Sequence, residues 1–243
     1  MEGIKTLVKP VSKSIVAIED DINRKFCALS SMKTADLRNL RREYSKQLAG
    51  FEGEQVIQLA LNLLPQRSAP RFVAYELIHH HKDALRCLNS RNIKLLGRGI
   101  DSWEAVDTFA CYLSGPAWRE GQLTDALIES WTTSKDRWWR RAGVVSTVAL
   151  NNKARGGRGD AQRTLQICRL VVDDRDDMVV KALSWALREL SKRVKQPVVD
   201  FVEEYKERLA SRVLREVNSK LTTGLKGGLK VKAKCEAPSP VKL

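Results

Sequence analysis

Apolar residues recur at every third or fourth position along most of the chain, with polar residues between them. Representative runs are Leu37, Leu40, Tyr44 and Leu48; Val106, Phe109, Ala110 and Leu113; and Phe201, Tyr205, Leu209 and Val213. This spacing places the apolar side chains on one face of an α-helix. No alternating strand pattern with a hairpin turn competes with it. The sequence therefore predicts an all-α protein.

Glycine and proline break this pattern into separate helical segments. These breaks fall at residues 50–53, 97–99, 115–116, 156–159 and 196–197. Roughly ten or more helices joined by short loops favour stacked antiparallel pairs, which is the arrangement of an α-solenoid. Such a stack has a concave surface that suits a duplex. The repeat itself is not visible as sequence identity.

The helical pattern fails from about Asn218 onward. Residues 218–243 contain six lysines against one acid, Glu236, together with three glycines and two prolines. This composition is typical of a disordered, solvated segment. We therefore predict a folded domain over residues 1–217 and a basic disordered tail over residues 218–243. The tail has a net charge of +5, which leaves +9 on the folded part.

The chain is strongly basic. Its 243 residues include 43 Lys and Arg against 29 Asp and Glu, a formal net charge of +14 at pH 7. This excess favours nucleic acid as the partner and an anionic membrane surface as the second choice; an inert basic surface is the remaining interpretation. We expect the concave face to be basic. No segment has the roughly 20 consecutive apolar residues of a membrane span, and no signal-peptide core occurs, so we expect a soluble, cytoplasmic protein.

Cysteine and histidine positions predict no metal site. The five cysteines are odd in number and widely spaced, no CxxC pair occurs, and the histidines at residues 79–81 have no cysteine at zinc-ligand spacing. We expect reduced thiols, no structural metal and no cofactor. The histidine run is more typical of a helix end near a polar surface.

Aromatic and charged residues give the main chemical signal. Trp103 and Asp107 are four residues apart, so one face of a helix carries both, and Ser102 is a suitable N-cap for that helix. Trp185 lies in a later helical run. A carboxylate beside an indole suits a site that binds a cation. A core tryptophan and a surface aspartate would give the same spacing.

A second group of such residues lies between these two helical runs. Ser134 is expected as the N-cap of the helix that carries Trp138. Arg140 and Arg141 are about 100° apart on that helix, so one can turn inward while the other stays solvated. The inward arginine would pair with Asp107 or with a phosphate. Phosphate binding or plain solubility is the alternative for both arginines.

Three segments resemble motifs of one family, the AlkD-type DNA alkylation repair glycosylases with HEAT-like repeats. Residues 102–107 (SWEAVD) resemble the SWxxVD motif of that family, and residues 131–142 (WTTSKDRWWRRA) resemble its W-x-x-S and W-x-x-R-A stretch. Residues 181–189 (KALSWALRE) are similar to its KAxxWxLRE segment. The segments occur in the family's order at compatible spacings. The likeness covers about residues 30–215 and is weakest at the N-terminal end.

The resemblance implies an α-solenoid of HEAT-like helix pairs and a role for each matched residue. Asp107 would be the catalytic carboxylate. Arg141 would be the active-site arginine that aims Asp107 and keeps it ionised, since a nearby opposite charge lowers the pKa of a carboxylate. Trp103 and Trp185 would be the aromatic walls of the cleft.

Other positions match the family less directly. Arg140 and Trp138 are candidate DNA contacts. The early aromatic cleft residue of the family has no clear counterpart; Phe26 and Tyr44 lie nearby, and neither is assigned to it.

The implied activity is that of a monofunctional DNA glycosylase. Its substrate would be duplex DNA containing positively charged N3- or N7-alkylated purines, and its product would start base excision repair. We expect a monomer, because the concave face must stay open. One alternative is a catalytically silent HEAT-repeat protein that binds damaged or branched DNA, although its carboxylate would then repel phosphate. The other is a protein-binding scaffold, which the basic folded part disfavours.

Overall fold

The computed structural model describes residues 14–28, 33–64 and 70–227, and the regular structure within them is entirely helical. The first helices are α1 (Ile15–Ala28), α2 (Thr34–Leu48), α3 (Gly53–Leu63), α4 (Pro70–His79), α5 (Lys82–Arg86), α6 (Ser90–Leu96) and α7 (Trp103–Phe109). The later ones are α8 (Gly115–Arg119), α9 (Asp125–Thr132), α10 (Arg137–Asn151), α11 (Ala161–Arg169), α12 (Asp177–Leu190), α13 (Gln196–Glu204) and α14 (Ser211–Thr223). The all-α prediction is confirmed.

Helices that are close in sequence pack on one another along the chain. The main contacts join α3 with α4, α9 with α10, α10 with α12, and α12 with α14. This nearest-neighbour packing is consistent with the predicted α-solenoid. The basic character of its concave face stays a prediction. Across the described ranges, the search for a helix both long and apolar enough to cross a membrane found none.

One hydrophobic core extends from α1 to α14. Its largest fully buried side chains include Ile18, Tyr44, Tyr75, Phe109, Trp118 and Phe201. Burying a large apolar side chain contributes about 1.5–3 kcal/mol. Phe26 and Tyr44 both belong to this core. Neither is therefore an exposed aromatic residue of a cleft.

A π-helical turn interrupts the helix that begins at Trp103. Helix α7 continues without a break through this turn, Ala110–Ser114, into α8. Pro116 accounts for the wider turn, because proline lacks the N–H of a helical hydrogen bond and its ring clashes with the carbonyl four residues earlier. The hydroxyl oxygens of Ser114 and Ser146 are 2.7 Å apart. This hydrogen bond ties the turn to α10 and fixes α7 beside it.

The last described helix extends beyond the predicted domain boundary at residue 217. Helix α14 continues to Thr223, because Leu221 still packs against the core. It ends at Gly224, which has a left-handed backbone (φ 74°) and donates its N–H to the carbonyl oxygen of Lys220. Helix α14 thus ends six residues after that boundary, and the division into a folded domain and a basic tail stays a prediction. Residues 228–243 of the predicted tail and residues 1–13 of the predicted domain lie outside the described residues.

Candidate active site

Helix α7 presents two of the predicted site residues. Its N-cap is Ser102, as predicted, and the Ser102 hydroxyl oxygen accepts a hydrogen bond from the backbone N–H of Ala105 at 3.4 Å. Trp103 is 50% exposed, and the side chain of Asp107 is 19% exposed. The interpretation of Trp103 as a core residue is therefore wrong. Its indole is available at the surface, while the carboxylate is largely enclosed.

Helix α10 supplies the arginine. Its N-cap is Asp136, whose carboxylate accepts a hydrogen bond from the N–H of Trp138 at 2.8 Å. The prediction that Ser134 is the N-cap is wrong. The Ser134 hydroxyl accepts from the N–H of Asp136 instead, because the Asp136 carboxylate is closer to the unpaired N–H groups of the first turn. Arg141 lies one turn into this helix, and its side chain is only 7% exposed.

Arg141 holds the Asp107 carboxylate at both oxygens. Nε of Arg141 donates to Oδ1 at 2.9 Å, and Nη2 donates to Oδ2 at 2.8 Å. The third nitrogen, Nη1, donates to the carbonyl oxygen of Met178 on α12 at 2.5 Å. Such a fork fixes position and orientation together. Of the two partners considered for the inward arginine, the structure therefore places Asp107 against it and leaves none of its nitrogens without a hydrogen bond.

The pKa of Asp107 is raised above its ordinary value. Burial is the largest cause, because it disfavours the charged form; the hydrogen bonds and charge of Arg141 act in the opposite direction, and the charge of Glu104 raises the pKa further. The predicted direction of the Arg141 effect is confirmed, since its hydrogen bonds and its charge both lower the pKa of Asp107; the net rise comes from burial, which was not part of that prediction. Arg141 favours the ionised form, but it does not fully offset the loss of water around the carboxylate.

Trp185 on α12 completes the group. Trp103, Asp107, Arg141 and Trp185 line one cavity of about 400 Å³. Trp185 itself is partly buried against the core. Three helices that are distant in sequence thus bring the four residues with assigned roles into one space. A fixed carboxylate and two indoles in this space can attract and hold a cation.

Five further described residues line the same cavity, and none of them was predicted to belong to a site. They are Met178, Lys181, Arg188, Arg212 and Lys226. Lys181, Trp185 and Arg188 share one helical face by their i, i+4 and i+7 spacing, so this signal is present in the sequence. The positions of Arg212 and Lys226 carry no such signal, because they depend on how α14 packs against α12.

Arg140 and Trp138 do not line the cavity. Nε of Arg140 donates to Asp174 at 2.7 Å, and its Nη1 donates to the carbonyl oxygens of Ser134 and Lys135. Arg140 therefore braces two loops, and the expectation that it stays solvated is wrong. Trp138 is partly buried against the core. Contacts of Arg140 and Trp138 with DNA stay predictions that this geometry does not favour.

The histidine run lies at the end of α4, as expected. His79 stacks on Tyr112 with ring centroids 4.8 Å apart, and the ring of His81 caps α5 by accepting from the N–H of Ala84. Among the described residues, no group of three or more His, Cys, Asp or Glu side chains could hold a metal ion. The four cysteines in the described ranges are free thiols, and Cys235 lies outside those ranges.

Comparison with known proteins gives one family match. The family model described as "DNA alkylation repair enzyme" matches residues 24–221, which is most of the chain. The matched range contains all four residues with assigned roles. No curated protein matches the chain.

Proposed function

The chain belongs to the DNA alkylation repair enzyme family, and on that premise we propose that it is a monofunctional DNA glycosylase. It hydrolyses the N-glycosylic bond of positively charged N3- or N7-alkylated purines in duplex DNA and so starts base excision repair inside the cell. The protein acts as a monomer and uses no cofactor. The observation that carries the proposal is the Asp107 carboxylate, held at both oxygens in a cavity lined by two tryptophans.

The chemistry of an alkylated purine explains why a carboxylate is the group required. Such a base is cationic, so it leaves as a neutral molecule and needs little help from a general acid. The bond between the base and C1′ of the sugar breaks, and positive charge moves from the base to the sugar. Water then forms a bond to C1′ and loses a proton. A fixed negative charge beside the sugar stabilises this transition state.

Asp107 is the catalytic residue in this proposal. Its ionised carboxylate faces the sugar, stabilises the developing cation and orients or deprotonates the attacking water. Arg141 is a positioning residue, because its nitrogens already donate to Asp107 and Met178. A preorganised ion pair spends no energy on reorientation during the reaction.

The two tryptophans bind the lesion. Trp103 is half exposed, and Trp185 lines the same cavity. An indole face attracts a cation by about 0.5–2 kcal/mol. The two side chains therefore favour the charged, alkylated base over its neutral, undamaged counterpart.

The excision rate is expected to fall as the pH is lowered. The fall should begin at a higher pH than it would for an aspartate with an ordinary pKa. Asp107 must be ionised to act, and its raised pKa means that it takes up a proton at higher pH than the usual 3.8. Single-turnover rates across the pH range, corrected for enzyme-free depurination, check this. A rate that stays constant down to about pH 4, near that ordinary pKa, would contradict the assignment of Asp107 as the ionised group.

Replacing Trp103 with alanine is expected to reduce the preference for alkylated over undamaged duplex about 2- to 30-fold, the equivalent of one cation–π contact. Fold stability should change little, because half of this side chain is already in solvent. The Trp103→Phe variant keeps a ring face and should retain part of the preference. The ratio of dissociation constants for the two duplexes is the measurement, and an unchanged ratio in Trp103→Ala would remove Trp103 from the site.

A further inference from the structure

The cavity is lined by more positive charge than a cationic base alone can explain. Five cations among the described residues line it, of which Lys181, Arg188, Arg212 and Lys226 come from α12, α14 and the residues just after α14. Within that described part of the chain, Asp107 is the only lining carboxylate. Four cations besides Arg141 would repel a positively charged ligand. An anionic group must therefore enter this space together with the lesion.

Glu216 connects three of these cations beneath the cavity surface. It is only 6% exposed. Its Oε1 accepts from Nε of Arg212 at 3.1 Å, and its Oε2 lies 3.6 Å from Nη2 of Arg188 and 3.7 Å from Nζ of Lys226. The Ser184 hydroxyl donates to Oε2 at 2.7 Å. One buried carboxylate thus touches cations from α12, α14 and the following turn.

Glu216 keeps its charge in spite of burial. Burial raises its pKa, but hydrogen bonds from Ser184 and Arg212 and the charges of Lys226 and Arg188 together outweigh that effect, so the pKa is lowered. The negative charge of Glu216 balances that of Arg188, whose side chain is only 15% exposed. A buried cation without a counter-charge would be costly.

The cations held by Glu216 retain unused hydrogen-bond donors, in contrast to Arg141. Arg188 donates through Nε to the hydroxyl of Ser184, and Arg212 donates through Nε to Glu216 and through Nη1 to Asp177. Within the described residues, Nη1 of Arg188 and Nη2 of Arg212 have no hydrogen-bond partner. Guanidinium N–H groups match phosphate oxygens closely.

We propose that Arg188, Arg212 and Lys226 bind a phosphodiester group of the strand that carries the lesion, and that Glu216 is the positioning residue that holds these three cations together. We call the three cations the phosphate clamp. The inference rests on the proposed function, because it identifies the anion as DNA backbone. A phosphate held beside the cavity would place the attached sugar near Asp107, and it would offset the positive charge of the wall.

Arg212→Gln is the direct test of the clamp, with Arg215→Gln as its matched control. Arg215 lies on the same helix and is exposed, but it does not line the cavity. Arg212→Gln should bind duplex DNA about 10- to 100-fold more weakly, with a salt-dependence slope smaller by about 0.9. Arg215→Gln should change affinity much less. Equal losses in the two variants would overturn the clamp, because charge alone would then explain them.

A neutral backbone linkage identifies the phosphate. Duplexes in which successive linkages around the lesion are replaced one at a time by methylphosphonate are bound to wild type and to Arg212→Gln. At one position next to the lesion, the difference between the two proteins should disappear, since the partner of Arg212 is then missing. A difference that persists at every position would overturn the proposal.

A positioning role for Glu216 and its negative charge alone predict opposite changes in DNA affinity when the carboxylate is removed. Glu216→Gln raises the net charge by one, which should tighten DNA binding if Glu216 only repels phosphate. We expect weaker binding instead, because the clamp loses its shared anchor. Glu204→Gln, on the exposed surface of α13, makes the same charge change and should bind equally or slightly more tightly. Tighter binding by Glu216→Gln would refute its positioning role.

Equilibrium-binding measurements test the phosphate clamp independently of the proposed glycosylase activity. All of these measurements use equilibrium binding, so they do not require excision. If the protein excises bases but no linkage shows coupling to Arg212, the glycosylase proposal stands and the clamp proposal fails. If one linkage shows coupling to Arg212 but no base is excised, the clamp proposal stands for a protein that only binds DNA.

Discussion

Replacing Asp107 with asparagine is expected to lower the single-turnover rate of excision at least about hundredfold, the usual loss when one preorganised electrostatic contact to a transition state is removed. The amide has nearly the shape of the carboxylate but no charge to stabilise a sugar cation. Its oxygen can still accept from Arg141, so the fold should persist. Duplex binding should be unchanged or slightly tighter, because a negative charge near the backbone has gone.

The matched control for this variant is Glu104→Gln. Glu104 is exposed, lies on the same turn of α7 and affects Asp107 only through its charge, which raises the pKa of Asp107. Glu104→Gln should therefore keep near wild-type excision and shift the acid limb of the pH profile slightly downward. If Asp107→Asn excised the base at the wild-type rate under the same conditions, Asp107 would not be the catalytic residue.

Replacing Arg141 with glutamine is expected to reduce excision strongly and to move its pH dependence. Asp107 would lose both hydrogen bonds and the charge that favour its ionised form. The pKa of Asp107 should therefore rise further, and the acid limb of the rate profile should shift to higher pH. A purely structural role for Arg141 would lower the rate without moving this limb. Arg169→Gln, an exposed change of the same kind on α11, is the control.

The same substitution should also lower the free energy of unfolding. Breaking a fully buried ion pair from one side costs about 3–5 kcal/mol. The cost here should be smaller, because 19% of the Asp107 side chain is exposed. In the double variant Asp107→Asn/Arg141→Gln the two losses of activity should not add, since both act through one carboxylate. Additive losses would show that Arg141 acts independently of Asp107.

The helical pattern was sufficient to predict the fold class and the face shared by Trp103 and Asp107. Both follow from local periodicity, which a sequence displays directly. Local sequence could not predict whether Arg141 pairs with Asp107 or with a phosphate. The pairing depends on how α7 and α10 cross, and the π-helical turn at Ala110–Ser114 helps to set that crossing. A turn set by one proline, Pro116, and one hydrogen bond between Ser114 and Ser146 has no periodic signature in the sequence.

Burial accounts for the other differences between prediction and structure. The raised pKa of Asp107 reflects how much water the surrounding helices exclude, a quantity that no motif contains. The ion pair of Arg140 with Asp174 depends on the position of a distant loop. Glu216 and Arg212 lie on a helix whose sequence reads as an ordinary amphipathic surface, so their contribution to the cavity becomes visible only when α14 is packed on α12.

Release of free base by the wild-type protein from methylated duplex DNA tests the proposed activity itself. A glycosylase of this kind should release 3-methyladenine and 7-methylguanine into solution and leave abasic sites, and Asp107→Asn assayed beside it should release neither above the enzyme-free level. No release by the wild type, with duplex binding intact, would refute the proposed glycosylase activity. The protein would then be a silent helical-repeat binder of DNA that keeps the geometry of an active site without its activity.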